Sequence, residues 1–202
     1  MVELARQLKV TRGRKLRIDG TVVETNIHHP SDSTLLYDGV RVLGRTLRKA
    51  KQFLQDAPPK AHQLFRDRTR SAKQRMKRIM EVARQRGEDA AQRLKTTYQQ
   101  LLEVAAEMVQ QAQQVGSALH EQTSSAGKRV AETLDQYVPL VEQVIEQTTR
   151  RVLQGEQVPA GDKVVSLFEP HTAIIRKGKP GKPTEFGRVV WLDGGGRDHQ
   201  PL

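Results

Sequence analysis

RIDGTVVETNIHHPSDSTLLYDGVRVL, residues 17–43, decides the fold, because a strand pattern changes into a helix pattern within it. β-Branched residues dominate its first part and predict a strand that ends near Ile27. Pro30 and the polar residues after it form a helix-start signal, with Asp32 as the expected N-cap. The strand carries Asp19 near its beginning, so a carboxylate is held on a rigid element.

The segment 31–155 predicts an antiparallel helical subdomain. Apolar residues recur at intervals of three and four, as in Leu36, Val40, Leu43 and Leu47, and this spacing is typical of amphipathic helices. Paired prolines after Ala57 and a glycine at position 87 predict where helices end. The stripes are most simply surfaces on which the helices pack together.

Strand patterns flank the helical segment on both sides. Residues 1–30 predict a short N-terminal helix and the first strand, and residues 156–193 predict returning strands. The expected pieces are Val164–Phe168, Ala173–Ile175 and Arg188–Leu192. The sequence therefore predicts a mixed α/β protein with a large helical insertion.

Composition limits the class of protein. The chain has 202 residues, of which 36% are hydrophobic and 4% aromatic, so we expect one thin, aliphatic core. It contains no cysteine, which excludes disulfides and thiolate metal sites. No apolar run is long enough to span a membrane, and the N-terminus lacks the apolar core of a signal peptide. We therefore expect a cytoplasmic protein without a membrane partner.

Positive charge is concentrated in one segment. The formal net charge is +11, and residues 41–95 hold 17 lysines and arginines against 5 acidic residues, which is +12 for the segment and −1 for the rest. Such an excess on helices attracts nucleic-acid phosphates. The simpler interpretation, a solvated helix face, accounts less well for so one-sided a balance. The candidate DNA-binding residues are Arg66, Arg68, Arg70, Lys73, Arg75, Lys77, Arg78, Arg84 and Arg86.

Two blocks of sequence resemble one known family. RIDGTVVETNIHHPSDSTLLYDGVRVL and the later GEQVPAGDKVVSLFEPHTAIIRKGKPGKPTEFGRVVWLD, residues 155–193, are similar to the catalytic core of ISNCY-type DDE insertion-sequence transposases. The resemblance implies a partial RNase H-like core interrupted by helices. It also implies that the intact parent cleaves and transfers DNA strands at the ends of an insertion element.

Asp19 is the candidate catalytic residue and metal ligand, because the resemblance places the first metal-binding aspartate of the family in this strand. Two Mg²⁺ (or Mn²⁺) ions held by three carboxylates would act on a phosphodiester. The resemblance supplies the other two carboxylates from sequence after residue 193, so we expect this chain alone to be inactive and to bind metal weakly.

Other acidic residues and histidines are weaker candidates. Asp193 ends a strand, but in the family this acid lies in a hairpin, and we interpret it as structural. His28 and His29 are adjacent in an extended segment, so they point to opposite faces and do not readily share one ion. We assign neither histidine a catalytic role.

Residues 194–202, GGGRDHQPL, have neither strand alternation nor a helical stripe. A one-base shift of a back-translated codon series yields Glu-Val-Glu-Gly-Ile-Ile-Ser-Arg, which suits a turn and a following strand. We therefore interpret the tail as the product of a frameshift that truncated a transposase.

Two alternatives of other classes remain open. The chain could be a non-enzymatic basic helical protein that binds nucleic acid or an acidic partner. It could also be a self-associating helical module built on residues 94–153, and a homo-oligomer is compatible with either.

Overall fold

The computed structural model describes residues 4, 7–9, 17–54, 65–121, 124–176, 178, 181 and 183–194. The expected N-terminal helix lies almost entirely outside these residues, and so does the tail after Gly194. The chain divides into two compact units. One is the continuous segment Ile27–Pro170, and the other combines Met1–Asn26 with His171–Leu202. The protein is mixed α/β and mostly helical.

The continuous unit is helical. Its described residues form four α-helices, which are α1 (Asp32–Ala50), α2 (Thr69–Val82), α3 (Glu88–His120) and α4 (Ser125–Thr148). A π-helical turn, Thr149–Leu153, continues α4, and a short 3₁₀ turn, Ala160–Asp162, follows it. No helix among the described residues combines the length and the apolar composition needed to cross a bilayer.

Local capping explains where these helices begin. Ser31 caps α1, because its hydroxyl accepts a hydrogen bond from the backbone N–H of Thr34 while the Thr34 hydroxyl accepts one from the backbone N–H of Ser31. The prediction that Asp32 is the N-cap is therefore wrong by one residue. Gly87, with φ of 107°, separates α2 from α3 in a backbone conformation that favours glycine. Ser124 caps α4.

Helices α1 and α3 pack side by side, and α2 and α4 each pack on both of them. α2 and α3 run antiparallel, because Arg68, the N-cap of α2, lies beside Glu107 in the second half of α3. α3 and α4 also run antiparallel, because His120 at the end of α3 lies beside Asp135 of α4. The largest fully buried side chains include Leu36, Leu43, Leu47, Leu101, Met108, Leu119 and Leu134. This core is aliphatic, as the composition predicted.

The other unit contains a sheet of three strands in its described residues, with the order β1 (Arg17–Glu24), β3 (Glu185–Gly194), β2 (Ala173–Ile175). Both pairings are antiparallel, and Thr21 lies opposite Val190 in the longer one. β2 pairs only with the first residues of β3, so the edge of β3 over residues 188–194 has no strand partner among the described residues. Trp191 and Leu192 on this strand are 71% and 56% exposed.

The predicted strand Val164–Phe168 is wrong, because this segment is irregular. Its apolar residues are buried, as Val164, Val165 and Leu167 show, so the hydrophobic signal was real. The backbone of Val164, however, bonds to a side chain instead of a strand: its N–H donates to Gln147 Oε1 at 2.9 Å and its C=O accepts from Gln147 Nε2 at 3.2 Å. The amide of α4 therefore takes the place of a neighbouring strand.

The helical unit is an insertion between two neighbouring strands, β1 and β3. Its first residues and its last residues both reach one turn of α1. His28 Nε2 lies 3.7 Å from Asp38 Oδ2, Arg41 Nη2 lies 2.8 Å from Asp38 Oδ1, and the Arg41 guanidinium lies 5.8 Å from the centre of the Phe168 ring. We call these four residues the insertion junction.

The contact of α1 with α4 yields the first prediction. A Cβ atom built on Gly39 would lie 2.8 Å from Cγ2 and 3.0 Å from Cγ1 of Val141, which is fully buried. We expect Gly39→Ala to lower the free energy of unfolding by about 1–3 kcal/mol through overpacking. Val141→Ala in the same chain should recover part of that loss, since the added methyl fills the space that valine vacates. Urea denaturation of both single variants and the double variant measures the coupling, and additive effects would contradict it.

Candidate nucleic-acid interface and candidate metal ligand

Asp19 lies in β1, where its backbone is opposite Leu192 of β3. Its side chain lies outside the described part of the structure, and so does that of Asp193. The pairing register nevertheless relates the two positions. Position 193 is opposite position 18, the residue before Asp19.

Metal chemistry has little support in the described residues. They contain no group of three or more His, Cys, Asp or Glu side chains that could hold a metal ion. A two-metal site needs several carboxylates converging on the ions, and Asp19 is one carboxylate. The described side chains therefore contain no complete magnesium site.

Three of the nine candidate DNA-binding residues form a row on the outer side of α2. Arg70, Lys73 and Lys77 are all exposed, and none of them forms an ion pair within the described part of the chain. Ala72, Ile79 and Val82 face the core from the other side of the helix. The spacing of three and four residues places the three cations on one strip of surface. We call them the outer row of α2.

Two candidates are engaged within the fold instead. Arg68 Nε lies 2.6 Å from Glu107 Oε2 on α3, and the Arg68 side chain is only 25% exposed. Arg75 turns back on its own helix and donates to the Ser71 backbone oxygen at 3.3 Å and to the Ser71 hydroxyl. Both therefore stabilise α2 and its contact with α3, and they offer less charge to a ligand than the sequence suggested.

The other four candidates surround the ends of α2. Arg66 precedes the helix, and Arg84 and Arg86 lie in the connection to α3. Arg78 faces a cleft of about 440 Å³ between α2 and α3, which Arg93, Asp89 and Gln100 also line. All four cations are exposed and have no ion pair among the described residues.

Charge is separated across the helical unit. On α4 the exposed positions Glu132, Asp135, Glu142 and Glu146 share one strip of the helix surface. Asp135 Oδ2 lies 2.8 Å from His120 Nε2, and Glu142 Oε1 accepts from Gln113 Nε2 at 2.7 Å. None of these carboxylates forms an ion pair with the outer row of α2 in the described part of the chain.

Sequence reasoning missed two buried carboxylates. Asp32 is 7% exposed and accepts two hydrogen bonds from Arg151 Nη1, at 3.0 and 2.8 Å. Asp38 is 6% exposed and lies between Arg41 and His28 at the insertion junction. The Asp32 and Arg151 pair joins residues 119 apart in sequence, so no local pattern could reveal it. For Asp38 a local signal was available. It lies three residues before Arg41 on an apolar helix face, and this spacing favours an ion pair.

Asp38 yields a prediction about pH. Burial raises the pKa of its carboxyl above the ordinary value of 3.8, and the charges of Arg41 and His28 oppose that rise without cancelling it. The folded chain therefore binds this proton more tightly than the unfolded chain does. The stability gained from protonation is full below 3.8 and is lost as pH rises through the folded pKa.

We expect Asp38→Asn to match the wild type in unfolding free energy at low pH and to exceed it at pH 7, because the amide carries no charge to desolvate. Urea denaturation followed by circular dichroism across this window measures the difference between the two proteins. A variant that is less stable than the wild type at pH 7 would show that the ion pair with Arg41 outweighs burial.

Comparison with family models, with curated proteins and with solved structures finds no match to this chain.

Proposed function

We propose that this chain is part of a DDE insertion-sequence transposase and that its helical unit binds the nucleic-acid backbone. The observation that carries the proposal is the outer row of α2, Arg70, Lys73 and Lys77, which is exposed and has no acidic partner among the described residues. α2 itself carries five basic residues and one acidic residue. Cations arranged in this way bind phosphates with little regard to base sequence.

The sheet unit supports the transposase lineage. The resemblance places the first metal-binding aspartate in a strand ahead of a long helical insertion. Asp19 lies in β1, and the helical unit separates β1 from its neighbour β3. In this proposal Asp19 is one ligand of a Mg²⁺ or Mn²⁺ site whose remaining carboxylates come from elsewhere. The chain alone binds DNA and does not cleave it.

A salt titration tests the binding function. We expect the chain to bind duplex DNA of unrelated sequences with similar affinity. The logarithm of the binding constant should fall linearly with the logarithm of salt concentration, with a slope of roughly −3 to −5 for four or five phosphate contacts. Fluorescence anisotropy with two unrelated duplexes measures both quantities. A flat salt response, or no binding at about 50 mM salt, would remove the proposal.

The expected inactivity of the chain alone has a separate test. With Mg²⁺ or Mn²⁺ present, we expect no nicking of supercoiled plasmid by this chain alone. Nicking that Asp19→Asn abolishes would show that the chain is itself an active enzyme, and it would overturn the expectation of inactivity.

A self-associating module is the second candidate, and the carboxylates of α4 favour it. The strip formed by Glu132, Asp135, Glu142 and Glu146 is opposite in charge to the outer row of α2. Two copies could therefore associate with α2 of one against α4 of the other. Sedimentation at low and high salt discriminates between the candidates, because self-association without DNA binding would favour the module alone.

A further inference from the structure

The cleft between α2 and α3 combines features that the outer row of α2 does not have. Its volume is about 440 Å³, and its lining includes two arginines from different helices, Arg78 and Arg93. Arg93 Nη2 donates to Gln85 Oε1 at 3.0 Å, which holds its guanidinium in place. The rest of the lining is also polar and consists of Asp89, Gln92, Thr96, Thr97 and Gln100, all on α3.

We propose that this cleft takes one unpaired nucleotide of a nucleic-acid strand bound by the helical unit. The inference rests on the proposed function and names a subsite within it. Arg78 and Arg93 bind the phosphate, because planar guanidinium groups from two helices can donate to different phosphate oxygens. Asp89 accepts a hydrogen bond from a base amino group or a sugar hydroxyl of the same nucleotide.

Volume and charge both favour a nucleotide over a simple anion. Pockets of roughly 300–1,000 Å³ hold small organic ligands, and about 440 Å³ is more than a lone phosphate fills. A site for a bare anion would also exclude carboxylates, whereas Asp89 lines this one. An acceptor beside two donors matches a ligand that carries phosphate together with N–H or O–H groups.

The state of the strand follows from the groups of the nucleotide that the lining would contact. A nucleotide inside a duplex has its base stacked and its pairing edge occupied, so its base cannot donate to Asp89. An unpaired nucleotide can, and guanidinium planes also stack on bases. We therefore expect the cleft to contribute more to binding of single strands than to binding of duplexes.

The experiment compares variants on a single-stranded oligonucleotide and on a duplex of equal length. Arg78→Ala with Arg93→Ala should weaken single-strand binding by about tenfold or more, and by at least about threefold more than it weakens duplex binding. Lys128→Ala with Arg129→Ala is the matched control, since it removes the same charge from exposed positions at the start of α4. We expect the control to lose less than about twofold on either ligand.

Two further variants separate a fitted site from simple charge attraction. Arg78→Lys with Arg93→Lys keeps the charge and removes the planar donors, so single-strand binding should still fall by several-fold. Asp89→Ala removes a negative charge yet should weaken binding, because the hydrogen-bond acceptor is lost. Tighter binding by Asp89→Ala, or wild-type binding by the lysine variant, would overturn the inference.

A competition experiment tests whether the cleft binds a nucleotide within a strand or a free nucleotide. It also separates the inference from the proposed function. Adenosine and cytidine monophosphates at millimolar concentration should compete weakly with the oligonucleotide. If the monophosphates bind tightly while the strand does not, the cleft is a free-nucleotide site and the inference fails. If the wild type binds duplex DNA normally and the cleft variants bind single strands as the wild type does, the inference is wrong and the proposed function stands. If the wild type binds no nucleic acid at all, the proposed function is wrong.

Discussion

Arg70→Glu combined with Lys77→Glu is expected to abolish most duplex DNA binding. Both residues belong to the outer row of α2, and neither contacts the core, since α2 buries Ala72, Ile79 and Val82. Reversal replaces attraction to phosphate with repulsion at two positions. We expect the affinity to fall on the order of 100-fold at about 0.1 M salt and the salt slope to shrink by about 2. The fold should be unaffected, because both side chains are exposed and glutamate at position 70, in the first turn of α2, is favourable.

Lys128→Glu combined with Arg129→Glu is the control for that variant. These residues are exposed near the start of α4. Each double variant lowers the formal net charge from +11 to +7, since two reversals subtract 4. Anisotropy titrations of both variants against one duplex give the comparison. Equal losses in the two variants would mean that net charge alone, and not the outer row of α2, determines binding.

We expect Gly187→Ala to disrupt the sheet. A Cβ atom there would overlap the carbonyl oxygen of Val23 and would lie 2.9 Å from the Val23 carbonyl carbon and 3.0 Å from Glu24 Cα. These are backbone atoms of the neighbouring strand, which cannot rotate away as a side chain can. Gly187 also lies opposite Ala173 of β2, so both strand pairings of β3 meet at this residue.

We expect Gly187→Ala to destabilise the sheet unit by about 3 kcal/mol or more while the helices stay folded. Hydrogen exchange read by mass spectrometry should show lost protection in β1 and β3 and unchanged protection in α1 and α3. Gly161→Ala is the matched control, because a Cβ atom at position 161 meets nothing within 4 Å. Protection in β1 that survives Gly187→Ala would contradict the close approach of the two strands.

Much of the fold could be predicted from local patterns. The stripe from Leu36 to Leu47 predicted α1, and alternation around Val189 predicted β3. Local patterns fail where the partner is distant. The run at Val164 has the composition of a strand, but the Gln147 amide satisfies its backbone groups. The pairing of β1 with β3 could not be predicted, because a whole helical unit separates the two strands.

The sequence could predict which segment holds the candidate interface. It could not predict which side chains of that segment form the exposed surface. Counting charges located α2, but a sequence does not show which cations already have partners. Arg68 and Arg70 are the same residue type in the same basic segment. Arg68 nevertheless lies beside Glu107, while Arg70 is in the outer row of α2. That difference depends on the angle at which α2 packs on α3. The same limit hid Asp38, whose burial depends on segments from both ends of the insertion.

We expect the insertion junction also to determine the order in which the chain folds. Thr21 and Val190 are 169 residues apart, 190 minus 21, and closing so long a loop costs about 2–3 kcal/mol more than closing a ten-residue turn. Once the helices have assembled, His28 lies beside Asp38 and Phe168 lies beside Arg41. Most of the entropic cost of closing the loop has then already been incurred. β1 and β3 can then pair at an entropic cost similar to that of a short hairpin. On this route they pair last during folding and separate first during unfolding.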